Sequence, residues 1–137
     1  MTKISPLKTY EDDRGCLLPL EFNNLPFTPK RIFVVNNVPK NSIRGNHAHY
    51  KTKQILICLN GYIEVILKDG INESITQLKK NEQILVDTLI WDSQKFLTED
   101  SELLVLCSTN YDINDYIFDF EEFNKIKTNE KIISNRR

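Results

Sequence analysis

Two turn signals, Asn60-Gly61 and Asp69-Gly70, bracket the run from Tyr62 to Lys68. Asn-Gly and Asp-Gly suit the tight turns that join antiparallel strands, because their central positions tolerate positive φ. The run between them places Ile63, Val65 and Leu67 on one face, the alternation of a half-buried strand. Just before it, residues 54–59 are apolar almost throughout, the pattern of a strand covered on both faces. The same reasoning predicts strands over 31–36, 72–78, 82–87 and 103–107. Residues 3–8 read as a short edge strand. Residues 16–22 read as another, because Pro19 cannot donate to a ladder. Phe118, Phe120 and Phe123 with Glu121 and Glu122 predict a short C-terminal helix, frayed from Lys125 into a tail over 125–137. Short strands at roughly 8–12-residue spacing predict one all-β domain over 1–137, an antiparallel sandwich or barrel of jelly-roll type.

Both histidines of the chain fall in Arg44-Gly45-Asn46-His47-Ala48-His49. On an extended strand His47 and His49 share a face, roughly 6.5–7 Å apart along it. With Arg44 just upstream, this is the pattern of an acid/base or metal site. A metal site draws on about three protein ligands, commonly imidazoles and a carboxylate. No third histidine exists, and Cys16, Cys58 and Cys107 lack paired ligand spacing. The expectation is therefore no metal and no cofactor, with the imidazoles free for proton transfer, which a pKa near ~6.5 suits at neutral pH. Cys58 and Cys107 lie in apolar runs and read as buried, reduced thiols.

The composition, 40% apolar and 27% charged, is that of a globular domain. No apolar run approaches membrane-spanning length, and the N-terminus lacks the apolar core of a signal peptide. The expectation is a cytoplasmic protein with no membrane partner. A net charge of −1 is unlike a nucleic-acid binder. The charge is uneven: residues 1–54 carry +5 and the remainder −6. Cations gathered near the histidines suit a small anionic ligand.

From the histidines onward, His47-x-His49, then Gln54, then Gly61 resembles the first motif of the cupin superfamily, with Gln54 where metal-binding cupins carry Glu. The resemblance narrows further. Asp13-Arg14-Gly15, Leu25-Pro26-Phe27, Lys30-Arg31, the Arg44–His49 stretch, Asp69-Gly70, Trp91 and Tyr111-Asp112-x-x-Asp115-Tyr116-Ile117 fall in order. Together they are similar to the WxcM-like sugar 3,4-ketoisomerases, across about residues 10–123. This resemblance implies a cupin jelly-roll barrel and action on dTDP-4-keto-6-deoxyglucose. The carbonyl would move from C4 to C3, giving a 3-keto sugar for later amination in surface-polysaccharide synthesis. It also implies catalysis without metal and a homodimer with exchanged N-terminal strands. The chain departs from the pattern at Phe33 and Val34, where the family often shows two tyrosines. It departs again at Phe118, where the family shows Arg, and before Trp91, where the usual Gly and Pro are missing.

In that light His49 is the candidate base at C3, and His47 delivers a proton at C4 or orients the sugar. Arg44 is the candidate for stabilising the enediolate oxygen, since a fixed cation at forming charge is a large catalytic effect. Arg14, Lys30 and Arg31 are candidates for the diphosphate. Trp91 and Tyr116 would stack on nucleotide or sugar, and Gln54 would hydrogen-bond at the pocket floor. Two other readings share these residues. One is a cupin nucleotide-sugar epimerase, which reprotonates the same carbon from the other face. The other is a cupin that binds a dTDP-sugar without turning it over.

Overall fold

The computed structural model describes residues 1–135. Among the described residues, twelve strands and one α-helix follow one another. Strands β1 (Ser5–Pro6), β9 (Glu82–Val86), β6 (Gln54–Asn60), β11 (Glu102–Cys107) and β4 (Arg31–Val35) form one five-stranded sheet in that order. The second sheet runs β12 (Tyr116–Ile117), β5 (Ile43–His49), β10 (Trp91–Phe96), β7 (Tyr62–Lys68) and β8 (Glu73–Lys79). All pairings are antiparallel, so the architecture is the expected jelly roll, with two sheets packed face to face. Strands β2 (Tyr10–Asp12) and β3 (Gly15–Leu17) form a separate hairpin, exposed along its whole length.

Alternation explains which residues meet between the sheets. Leu56, Cys58, Val105 and Cys107 from one sheet join Ile63, Val65, Leu67 and Phe96 from the other in the main core. The opposite face of β6 is also covered, as its continuous apolar run demands. Ile55, Ile57 and Leu106 lie under Leu20, Leu25 and Phe27. That covering segment corrects the strand expected over 16–22. Only Gly15–Leu17 pairs with a neighbour. Pro19 has no N–H to donate, so the chain leaves the ladder and crosses the outer face through a 3-10 turn at Phe22–Asn24.

Strand β10 was not expected. Asp92, Gln94 and Phe96 face inward while Trp91 and Lys95 face outward, so polar residues occupy positions where a strand normally buries apolar ones. The helix α1 (Phe120–Asn135) is longer than expected and continues past Lys125. Asp119 caps it by accepting from the backbone N–H groups of Glu121 and Glu122. Ile126, three residues beyond the fully buried Phe123, prolongs the apolar stripe that packs on Ala48, Trp91 and Ile117. Cys58 and Cys107 are buried free thiols and Cys16 is an exposed one.

Candidate active site

The site is built on the inner face of β5. His47 and His49 point the same way, with ring centroids 5.1 Å apart in an edge-to-face arrangement. A bulge lies just upstream of them. Gly45 (φ +88°) and Asn46 (φ +58°) both take left-handed backbone, and the pairing with β10 steps from Gly45–Ser93 to His47–Asp92. One residue is thereby left out of the alternation. Arg44 pairs opposite Gln94 and His47 opposite Asp92, so Arg44 shares the inward face with the histidines. A Cβ on Gly45 would lie 3.0 Å from the Asp92 carbonyl and from the Gln94 amide, so glycine serves both the backbone and the packing there.

His49 is 4% exposed and tightly held. Strand β12 brings Tyr116 opposite it and sets the Asp115 carboxylate 3.2 Å from its Nδ1. Asp115 also accepts from the backbone N–H groups of Lys51 (2.8 Å) and Thr52 (3.1 Å), and from the Thr52 hydroxyl. Burial alone would raise its pKa. The hydrogen bonds from Thr52, Lys51 and His49 outweigh burial and hold the carboxyl below its ordinary value. An ionised Asp115 accepts from Nδ1–H, which places the His49 lone pair on Nε2. That Nε2 is buried with no hydrogen-bond partner among the described residues. Burial lowers the pKa of the ring below 6.5, Asp115 works against it, and the Arg31 charge adds to the lowering. The ring is neutral at pH 7.

His47 is lowered to about 4, first by burial and then by the neighbouring His49. Its Nε2 lies 3.6 Å from the Oδ2 of Asp92. Asp92 is itself pushed up to about 7 by burial, with a hydrogen bond from Gln94 opposing. A neutral imidazole beside a carboxyl that is largely protonated below pH 7 is a neutral pair, not a salt bridge.

Aromatic rings close over the histidines. Tyr116 lies 4.3 Å from the His49 ring, and Phe118 stacks on Tyr116 at 5.2 Å. The Arg31 guanidinium rests over Phe33 and Tyr111 at 4.6 and 5.1 Å. Arg31, Thr52, Gln54 and Tyr116 line a small cavity with His49. Gln54 is buried there, its amide 3.5 Å from the Cys107 sulfur.

The structure thus gathers His47, His49, Arg31, Gln54 and Tyr116 around one inward face, with Arg44 exposed at its margin. Lys30 is exposed and stands outside this group. Arg14 is exposed at the hairpin tip, held to Asp12 at 2.5 Å. The stacking role expected of Trp91 is corrected. Its indole faces outward from β10 and is buried under α1 against Phe120 and Phe123, on the far side of the sheet from the histidines. Asp92, Gln94, Thr52 and Asp115 were missed. Asp115 stood within a recognised motif, but nothing in the sequence links it to His49. Asp92 carried only the weak signal of a polar residue between Trp91 and Phe96. Among the described residues, no three His, Cys, Asp or Glu side chains converge as a metal-ligand set.

A jelly roll with paired histidines on an inward strand, followed by Gln54 and a hairpin glycine at Gly61, defines a cupin-type protein. The model of the family described as "FdtA: WxcM-like, C-terminal" matches residues 1–128, and the chain belongs to that family. It is 37% identical over 125 residues to the TDP-4-oxo-6-deoxy-α-D-glucose-3,4-oxoisomerase of Aneurinibacillus thermoaerophilus, covering 90% of each chain. It is also similar to the sugar 3,4-ketoisomerase QdtA of Thermoanaerobacterium thermosaccharolyticum solved with TDP. The TM-score there is 0.88 at 33% identity, over 94% of this chain and 96% of that one. A histidine-to-asparagine mutant of QdtA, solved with TDP-4-keto-6-deoxyglucose, matches with TM-score 0.88 and 32% identity over 93% and 94% of the two chains.

Proposed function

We propose that this protein is a metal-free sugar 3,4-ketoisomerase that converts dTDP-4-keto-6-deoxyglucose to a dTDP-3-keto-6-deoxyhexose. The observation that carries the reading is His49. It is a neutral ring with Nδ1 fixed by Asp115 and a buried Nε2 lone pair that no group among the described residues uses. A base awaiting a carbon acid requires that state. The hydrogen at C3 is acidic because the C4 carbonyl stabilises the resulting enediolate. His49 Nε2 removes it, Arg44 on the same inward face stabilises the oxygen charge, and His47 returns a proton at C4. The C3 carbonyl then forms.

Family membership and the ligands named for the two QdtA structures support a dTDP-sugar as the partner. Arg31 is the diphosphate cation nearest the base, and Tyr116 and Gln54 hold the sugar. Arg14 and Lys30 stand outside the cluster of a single chain. We place Arg14 at the diphosphate of a neighbouring site in a homodimer that exchanges its N-terminal hairpin. The product suits a following amination in the cytoplasm, on the way to a surface glycan.

The test is incubation with dTDP-4-keto-6-deoxyglucose in D₂O and NMR of the product. The carbonyl should appear at C3 and solvent deuterium at C4, with the rate unchanged after prolonged chelation. A carbonyl still at C4 beside an inverted carbon would make the protein an epimerase. Tight dTDP-sugar binding with no turnover would make it a binding cupin. Loss on chelation, restored by one divalent ion, would refute the metal-free mechanism.

A further inference from the structure

Asp92 is 0% exposed, at a position where β10 could have carried an apolar residue. Its Oδ1 accepts from the Gln94 amide, and its Oδ2 has no hydrogen-bond partner among the described residues. An unpaired carboxyl oxygen in a core is costly, and the nearest use for it is the His47 Nε2 at 3.6 Å. His47 in turn keeps 17% of its side chain exposed, so it stands between the buried carboxyl and the opening of the site. We propose that Asp92 stores the proton of the second half-reaction and passes it through His47 to C4. Asp92 is thus a positioning and proton-supplying residue that never touches the sugar. The inference deepens the ketoisomerase reading and rests on it.

The surroundings let Asp92 hold its proton. On β5 the titratable neighbours are His47 and then His49, with Arg44 further along, opposite Gln94. On the other side β7 presents Leu67 opposite Asp92 and Val65 opposite Gln94, with no charge. The core behind is apolar apart from the Cys58 and Cys107 thiols, which burial keeps protonated. Burial accordingly raises Asp92 to about 7 while His47 falls to about 4, so between those values both groups are neutral and the mobile proton sits on the acid.

The step balances without any co-reactant. The O–H bond of Asp92 breaks as a bond forms to His47 Nε2. The resulting imidazolium gives one ring proton to C4, and the electron pair of the enediolate double bond becomes the new C–H bond. The hydroxyl proton at C3 moves to the oxygen at C4 as the C3 carbonyl forms. Asp92 is left as a carboxylate. The proton that His49 took from C3 departs to solvent, and solvent restores Asp92 through His47.

Asp92→Asn keeps the shape and cannot supply the proton. In D₂O it should exchange the substrate's C3 hydrogen within about threefold of the wild-type rate while isomerisation falls by about 10²-fold or more. Wild-type turnover should decline as pH rises through about 7, where Asp92 loses its proton. That decline should be absent from the residual activity of the variant, and Asp92→Glu should recover part of the rate. Equal loss of C3 exchange and isomerisation would overturn the proposal, as would an unchanged rate with an unchanged alkaline decline. Should the wild type not turn over this substrate at all, the functional reading falls, and ¹⁵N NMR of His47 still decides the pairing. Its Nε2 signal should shift with a midpoint near pH 7 in the wild type and not in Asp92→Asn. A signal blind to that pH in both would overturn the pairing.

Discussion

His49 works as a base only while its proton stays on Nδ1, and that is the task of Asp115. An Asn at 115 can present N–H where the carboxylate accepted, which turns the ring tautomer around and puts hydrogen on Nε2. Asp115→Asn should lower turnover by about 10²-fold or more, with dTDP affinity within about twofold by calorimetry. His49→Asn should cost about 10²–10⁴ in turnover and likewise spare binding. The pH dependence follows from the same contacts. Only the neutral ring accepts a proton, so turnover falls as pH drops through the His49 value, which burial holds below 6.5. Asp115 opposes that lowering, so the acid limb of Asp115→Asn should move to still lower pH in a pH–rate profile. A limb that moved upward would contradict the pairing. The histidines were legible as a pair because two residues on a strand need only a period of two. Asp115 was not, because it lies 66 positions from His49 and reaches it through the β12–β5 pairing.

Among the elements, those obeying one period along their whole length were readable, and β6, β7 and β11 came out with nearly their true limits. Strand β10 hid because its inward residues Asp92 and Gln94 serve chemistry, and a strand with a polar inner face has lost the signal that marks strands. Trp91 was misplaced for a related reason. An aromatic in a short polar run suggests a ligand platform, and α1, whose true length was not apparent, supplies the apolar cover that it meets instead. That cover is concentrated at Phe123, 0% exposed between Trp91 and Ile117. Phe123→Ala should destabilise the protein by about 3–5 kcal/mol in denaturant unfolding. A cost under about 1 kcal/mol would show that the helix contributes little to holding the sheet.

For the molecule as a whole, the apolar surface left uncovered is informative. Strand β4 ends its sheet, and Ile32 and Val34 on its outer face are 53% and 48% exposed. The β2–β3 hairpin leaves Leu17 uncovered as well. A single chain gains nothing from this arrangement, whereas a partner contributing its own N-terminal segment would cover it. Light scattering should give twice the 16.1 kDa chain mass at micromolar concentration, and Val34→Lys should shift the protein toward monomer. A monomeric wild type would count against exchange and against Arg14 at a neighbour's diphosphate. One feature of β5 reaches further than any side chain. Asn46 is the residue that the bulge leaves uncounted, and it alone sets Arg44 in step with His47. Flatten the bulge with every residue kept, and strict alternation puts Arg44 and His47, three positions apart, on opposite faces: both histidines stay inside while the arginine turns out to water. A relative that kept every one of these residues but ran straight through positions 45 and 46 would have each functional side chain in its sequence and still lack the cation, so in this strand the left-handed backbone at Gly45 and Asn46 specifies the site as surely as residue identity does.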